Sequence, residues 1–285
     1  MKIGFAGLGV MGGPMARHLV EAGHDVAGFN RSPEKAQAWA ATTGGRFAAT
    51  VEEAASGAEL FILCVGNDHD VREVVAAALP AMGEGAVIVD HTTTSARVAR
   101  EMSALASGQG VFFIDAPVSG GQAGAENGQL SVMAGGDADA LVRVEPILMH
   151  YAKAVKQMGP SGAGQLTKMC NQIAIAGVVQ GLAEAVHFAQ TAGLDTDAVY
   201  DAISKGAAQS WQMDNRWKTA AAGQFEFGFA VDWMRKDLGL VLDEARDNGA
   251  RLALTALVDQ FYAEVQAMGG SRWDTSSLAA RLQRP

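Results

Sequence analysis

Three groups of residues in this chain have types and spacings that could do chemistry. Lys168, Asn171 and Gln172 are spaced i, i+3, i+4, so on a helix they share one face. An ammonium beside two amides suits a site that holds a substrate hydroxyl and supplies or accepts a proton during hydride transfer. The same spacing also describes a solvated helix face with a lysine on it. Ser119-Gly120-Gly121 ends a run of small residues from Ala116. Backbone N–H groups and a hydroxyl in such a run make a concave site for a carboxylate, or an ordinary tight turn. Gly7-Leu8-Gly9-Val10-Met11-Gly12 gives the third group, G-x-G-x-x-G.

The flanks of that glycine run decide its meaning. Lys2 to Ala6 reads as a short buried strand, and Pro14, Met15, Ala16, Leu19 and Val20 continue as a helix with proline in its first turn. Strand, glycine turn and helix form the context in which the motif binds a dinucleotide. Gly7 serves the tight turn, Gly9 the approach of a pyrophosphate, and Gly12 the packing of helix on strand. The free N–H groups at the helix start face the anion, and Leu8, Val10 and Met11 are counted with the glycines as cofactor-binding.

His24 to Phe29 predicts a second strand. Where an acid commonly holds the adenosine ribose of NAD, this chain has Asn30, then Arg31 and Ser32. Loss of the acid removes repulsion against a 2′-phosphate, and a guanidinium can pair with it, so NADP is expected to be preferred, with NAD usable. The competing reading of Arg31 is a plain surface cation. Leu60 to Val65 is a continuous apolar run, as in a strand buried on both faces. Its end, Cys64-Val65-Gly66, is expected near the cofactor. Ala86 to Asp90 is the next strand, followed by His91 to Ser95. Thr93 is assigned to the ligand, Ser95 to a helix cap and His91 to structure. Further strands are expected at Val111 to Asp115, Leu130 to Ala134 and Ala154 to Met158. The alternation predicts an α/β fold, a doubly wound, Rossmann-type parallel sheet.

The pattern changes near residue 162. From Gly164 to about Ala192 there is no strand signal, and Leu166, Met169, Ile173, Val178, Val179, Leu182 and Val186 fit a long, largely buried helix. Every later periodic segment is helical. The expectation is a dinucleotide-binding domain over 1–162 and an all-α domain over 163–285, joined by a long helix that borders a cleft. Trp211 and Trp233 are expected near that cleft or in the core.

Bulk properties narrow the function class. A net charge of −9 argues against a nucleic-acid partner. Cys64 and Cys170 are the two cysteines, both expected as buried, reduced thiols and neither as a metal ligand, which fits a cytoplasmic protein. No apolar segment is expected to reach the ~20 residues that span a bilayer.

Taken together, these motifs resemble the β-hydroxyacid dehydrogenase family, which includes 3-hydroxyisobutyrate dehydrogenase and tartronate semialdehyde reductase, and the similarity runs nearly end to end. Gly7 to Gly12 with Met15-Ala16 and Leu19 is similar to the family's cofactor signature. Asp115 to Gly121 with Gly124-Ala125 and Gly128 is similar to its substrate motif. Gly162-Ala163-Gly164-Gln165 leading to Lys168-Met169-Cys170-Asn171-Gln172 is similar to its catalytic helix. Phe229 and Asp232 leading to Lys236-Asp237-Leu238 match a downstream motif whose lysine approaches the nicotinamide ribose. The resemblance implies reversible oxidation of a β-hydroxy acid to its semialdehyde or keto acid. Lys168 would be the general acid/base, Ser119, Gly120 and Gly121 would fix a small carboxylate substrate, and Asn171 and Gln172 would orient it. Phe229 and Lys236 would join the cofactor set. Many members have a second asparagine where this chain has Gln172, so the resemblance leaves open which hydroxy acid or hydroxy amino acid is used. It also implies a homodimer or homotetramer. An imine reductase has a similar layout but usually lacks the lysine, and silent nucleotide-binding relatives tend to lose it too.

Overall fold

A computed structural model describes residues 1–283, and the chain divides into two units, 1–168 and Met169 onward. The first unit is built on strands β1 (Lys2–Ala6), β2 (Asp25–Phe29), β3 (Arg46–Phe47), β4 (Leu60–Leu63), β5 (Val87–Asp90), β6 (Phe112–Asp115), β7 (Val118–Ser119), β8 (Leu130–Gly135) and β9 (Ala152–Gly159). Their order across the sheet is β3-β2-β1-β4-β5-β6-β8-β7, with β9 on β8. All pairings from β3 to β6 are parallel. Strand order therefore reverses between β1 and β4, and the crevice at their carboxyl ends is where such sheets bind ligands. The doubly wound expectation holds. What it did not include is the reversal at the far edge, where β8 runs antiparallel to β6 and β7 and parallel to β9.

Apolar alternation explains why both faces are covered. Ile3, Phe5, Leu60, Ile62, Val87 and Val89 enter one core, while Ala6, Phe61, Leu63 and Ile88 enter the other. Successive side chains point to opposite faces of a strand, so a strand buried on both sides must be apolar throughout. On the first face lie helices α1 (Gly12–Glu21), α2 (Pro33–Thr43) and, later in the chain, α7 (Ala138–Leu148). They contribute Met15, Leu19, Trp39, Leu141 and Val144. On the second lie α3 (Val51–Ala55), α4 (Asp68–Ala78) and α5 (Ala96–Ser107), contributing Ala54, Val71, Val75, Val98 and Met102. Ser95 caps α5, its hydroxyl accepting from the Val98 N–H at 3.1 Å, as the sequence suggested. Gly121–Glu126, read from sequence as part of a turn, forms the short helix α6.

Helix α8 (Ala163–Thr191) begins in the first unit and continues into the second. The second unit adds α9 (Thr196–Ile203), α10 (Trp211–Ala221), α11 (Val231–Asn248), α12 (Ala253–Ala267) and α13 (Leu278–Leu282). Its main core gathers Ala176, Val179 and Ala183 of α8 with Val231, Met234, Leu238, Val258 and Tyr262.

Four expectations need correction here. Helix α8 is long and apolar enough to cross a membrane by length and composition, with a mean hydropathy of 1.3 over its most apolar stretch. Its place in the core of the helical unit accounts for that apolar character instead. Val178, counted among its buried positions, is 40% exposed. Cys170 is exposed and Cys64 half-buried, so neither thiol is fully buried; among the described residues neither forms a disulfide. Trp211 and Trp233 are 57% and 43% exposed, which rules out a core role for either.

Candidate active site

The first unit places the glycine turn at the carboxyl end of β1. Gly7 adopts a φ of +97°, and a Cβ there would run into the Cys64 carbonyl just after neighbouring β4. A Cβ on Gly12 would collide with the Gly7 carbonyl, so the first turn of α1 presses directly on the strand end. Gly9 is different. Apart from its chain neighbours, none of the described residues comes within 4 Å of where its Cβ would stand. Among the described residues no side chain caps the start of α1. The Gly13 N–H donates to the Gly9 carbonyl at 2.9 Å and Pro14 has no N–H, so the Gly12 N–H is the helix-start donor that an anion can take. The surroundings therefore fit a dinucleotide pyrophosphate: an open position at Gly9, flanked by Val10, exposed, and Met11, half-buried.

The turn is braced from β2. The Gly7 N–H donates to the Phe29 carbonyl at 2.9 Å. Buried Leu8 donates its N–H to Asn30 Oδ1 at 3.1 Å, and Asn30 Nδ2 donates to the Ser32 carbonyl at 3.2 Å. Asn30 thus holds the turn itself, a role its sequence position did not reveal. Ser32 is exposed, and the Arg31 side chain is 89% exposed with Nη1 at 3.6 Å from Asp70 Oδ1.

Two more strand ends complete this region. After β4, Cys64, Val65 and Gly66 are half-buried. The Val65 N–H donates to Thr92 Oγ1 at 3.0 Å, and the Gly66 N–H to Asp70 Oδ2 at 3.1 Å. After β5, Thr93 is half-buried between buried Thr92 and Thr94. His91 is buried, with Nδ1 2.6 Å from the Ala116 carbonyl and Nε2 2.8 Å from the Tyr151 hydroxyl. Burial depresses its pKa to about 4, so it is a neutral structural residue, as expected.

At the end of β6, Asp115 is buried against the start of α8. Its Oδ1 accepts the Gly162 N–H at 2.7 Å and its Oδ2 the Gln165 N–H at 3.0 Å. Burial pushes its carboxyl up to about 6 against the pull of these donors. The side chain of Gln165 is also committed: Nε2 donates to the Thr92 carbonyl at 2.7 Å and Oε1 accepts from the Thr94 N–H at 3.0 Å. Lys168 follows one turn later and is buried, 9% exposed. Sequence reasoning assigned no role to Asp115 or Gln165. The available signal was an acid closing an apolar strand and a glutamine one turn before the lysine. Ser119, half-buried, pairs with Ser131 across β7 and β8; Gly120 and Gly121 are exposed with φ of +131° and +60°, and α6 starts at Gly121.

In the second unit, Asn171, Gln172, Asp237 and Lys236 form one network. Asn171 Nδ2 donates to Gln172 Oε1 at 2.8 Å, and Gln172 Nε2 donates to Asp237 Oδ2 at 2.7 Å. Lys236 Nζ lies 3.2 Å from Asp237 Oδ1. Gln172 is 2% exposed, so both ends of its amide are used within the unit. Phe229 stands outside this network, 39% exposed, its N–H donating to Asp274 Oδ2 at 3.0 Å. Asp274 in turn accepts from Arg216 Nε at 3.0 Å. Among the described residues no cluster of three or more His, Cys, Asp or Glu is placed to hold a metal.

A switch-point crevice with an open glycine turn, followed by a helical unit, defines the class of NAD(P)-binding oxidoreductases. Residues 2–159 match the model for the NAD binding domain of 6-phosphogluconate dehydrogenase. Residues 162–282 match the model for the NAD-binding domain of NADP-dependent 3-hydroxyisobutyrate dehydrogenase. An uncharacterized oxidoreductase of Shewanella frigidimarina is 59% identical over 99% of this chain and 98% of its own. The structure of Mycobacterium tuberculosis 3-hydroxyisobutyrate dehydrogenase with L-serine superposes with a TM-score of 0.91 at 34% identity, covering 99% of each chain. Psf3 in complex with NADP+ and 2-OPP gives a TM-score of 0.88 at 26% identity, over 99% of this chain and 100% of that one. The chain belongs to the β-hydroxyacid dehydrogenase family, and at that level it is an NAD(P)-dependent hydroxyacid dehydrogenase.

Proposed function

We propose that this protein oxidises a small β-hydroxy acid reversibly to its semialdehyde or keto acid, with NADP preferred over NAD. The candidates are 3-hydroxyisobutyrate, glycerate (giving tartronate semialdehyde) and 3-hydroxy amino acids of the serine or threonine type. A lysine buried on the second turn of a helix, in the same unit as an open dinucleotide cradle, carries this reading. The bound cofactor supplies a hydride acceptor at C4 of its nicotinamide. Gly7 to Gly12 would hold the pyrophosphate, Arg31 and Ser32 the 2′-phosphate, and Cys64 to Gly66, Thr93, Phe229 and Lys236 the remainder. Lys168 takes the hydroxyl proton in oxidation and returns it in reduction. Backbone donors of Gly120 and Gly121 with the Ser119 hydroxyl bind the carboxylate. Asn171 orients the substrate, and Gln172 acts through Asn171, since its own amide is engaged. Support for NADP comes from the absence of an acid at Asn30 and from the NADP complex of a structural relative.

We extend the proposal to a cytoplasmic homo-oligomer. Val178 and Phe188 on α8 and Leu254 and Leu257 on α12 are exposed and give the helical unit apolar surface that another copy could cover.

The test is cofactor reduction across a panel of β-hydroxy acids and hydroxy amino acids beside their methyl esters. An unpaired donor costs about 1–3 kcal/mol, so esters should be poorer by roughly ten- to a hundredfold in kcat/KM. Equal kcat/KM for an acid and its ester, or no reduction with any acid, overturns the reading.

A further inference from the structure

Gln165 is fully buried, and its side-chain amide is engaged at both ends by one loop. It donates to the carbonyl of Thr92 and accepts from the N–H of Thr94. Between those two residues stands Thr93. Thr92 passes the connection on, because its Oγ1 accepts the Val65 N–H of the loop after β4. On the helix, Gln165 is three residues before Lys168, so the two side chains lie on one face. We propose that Gln165 is a positioning residue for the reaction: its amide locks the turn of α8 that carries Lys168 to both sides of Thr93 and, through Thr92, to the Val65 loop. This rests on the reading of Lys168 as the proton acceptor and donor.

The chemistry of the position requires an amide. One end must donate to a carbonyl and the other must accept from an N–H, in a place closed to water. An alkyl side chain does neither and leaves both backbone groups buried without a partner. An ionised carboxylate accepts from Thr94 but faces the Thr92 carbonyl with no proton to give. A neutral carboxyl group does both. The backbone of Gln165 is held separately, by Asp115, so the start of α8 stays pinned when the side chain changes. What the side chain adds is the fixed relation between the proton group and the two strand-end loops. Misplacing reacting groups by about 1 Å costs on the order of a hundredfold in rate.

The experiment compares Lys168→Ala, Gln165→Met and Gln165→Glu in the full chain, with NADP and the best acid of the panel. Thermal midpoints are recorded alongside kcat and KM. Gln165→Met is expected to lower kcat by about ten- to a hundredfold while the KM of the hydroxy acid moves far less. Gln165→Glu is expected to lose as much at high pH and to recover as pH falls and the carboxyl takes up its proton. Asp115, which accepts the Gln165 N–H, Asp90, which accepts the Thr92 N–H, His91 beside Thr92 and Lys168 one turn along α8 are the same in both variants, so the Glu-to-Met ratio of kcat isolates the new group. A Gln165→Met enzyme with wild-type kcat overturns the proposal. So does a Glu-to-Met ratio that stays flat with pH while both variants simply melt earlier. Turnover that survives Lys168→Ala removes the reading of Lys168 and the proposal with it. Turnover lost in Lys168→Ala but kept in Gln165→Met removes the proposal alone.

Discussion

Two strand ends in the sheet unit are built from the same materials and used in opposite ways. After β1 and after β6–β8, glycines bring a helix start close against a strand. At the first, Gly7 and Gly12 are crowded by backbone, while Gly9 looks onto open space and α1 has no side-chain cap among the described residues. At the second, the corresponding space is filled by the chain itself. A Cβ on Gly135 would stand 2.7 Å from Asp115 Oδ1 and from the Gly164 N–H, and Gly164 is pressed against Met133 and Asp115. At the second end Asp115 takes the Gly162 and Gln165 N–H groups, whereas no side chain among the described residues caps α1. A glycine surrounded by protein serves packing; one with nothing around it leaves room for a ligand. The filled end frees the start of α8 to act as a rigid mount for Lys168.

The comparison is tested hardest at Lys168. If α8 is a mount for chemistry, Lys168→Ala should lower turnover by roughly 10²–10⁴-fold and leave the cofactor Kd nearly intact. An enzyme that keeps more than about a tenth of its turnover would mean the filled end carries no proton chemistry.

Asp115 gives the next largest effect, and its sign is definite. Its folded pKa, about 6, lies above the ordinary carboxyl value of 3.8, so between the two the folded state holds a proton that the unfolded state has lost. Its stabilising contribution is complete below 3.8 and disappears as pH rises through about 6, a change of about 3 kcal/mol. His91 works in the opposite direction: with its pKa depressed from 6.5 to about 4, it stabilises above 6.5 and that contribution is lost as pH falls. Asp115→Asn removes the first slope and leaves the second. Urea unfolding from pH 4 to 7 should therefore show the variant gaining on the wild type as pH rises, by up to about 3 kcal/mol. Parallel curves would show that Asp115 is not the buried acid described here.

The glycines themselves sharpen the contrast. Gly12→Ala should cost about 1–3 kcal/mol of stability through overpacking, since its Cβ has nowhere to go. Gly9→Ala should leave the urea midpoint within about 0.5 kcal/mol of wild type and weaken cofactor binding by about tenfold or more. Equal loss of stability in the two variants would erase the distinction between a packed and an open glycine.

The smallest effect is expected at Arg31. A charge-assisted contact contributes about 1.5–3 kcal/mol, reduced here by exposure and by the neighbouring Asp70. Arg31→Ala should lower the NADP-to-NAD ratio of kcat/KM by about tenfold. An unchanged ratio would place phosphate recognition elsewhere on the open end.

Sequence alone determined whatever rests on local sterics or on repeated burial. Crowded glycines at fixed intervals, apolar runs such as Leu60 to Leu63 that are buried on both faces, and the i, i+3, i+4 spacing of Lys168, Asn171 and Gln172 need no distant partner to be read. From them came the doubly wound sheet, the helical second unit and most of the proposed site. Tertiary structure decided which polar groups are already spoken for. Gln165 meets the Thr94 N–H across 71 residues, Asp115 meets the Gln165 N–H across 50, and Gln172 meets Asp237 across 65. The partner of a buried amide or carboxylate is whatever the fold brings within 3 Å, and no periodicity encodes that. For the same reason the sequence showed Asn30 as a gap in a ribose site but not as the brace of the glycine turn. The exposure of Cys170, Trp211 and Trp233 was hidden too, because residue type sets a preference for burial while packing decides which residues are covered.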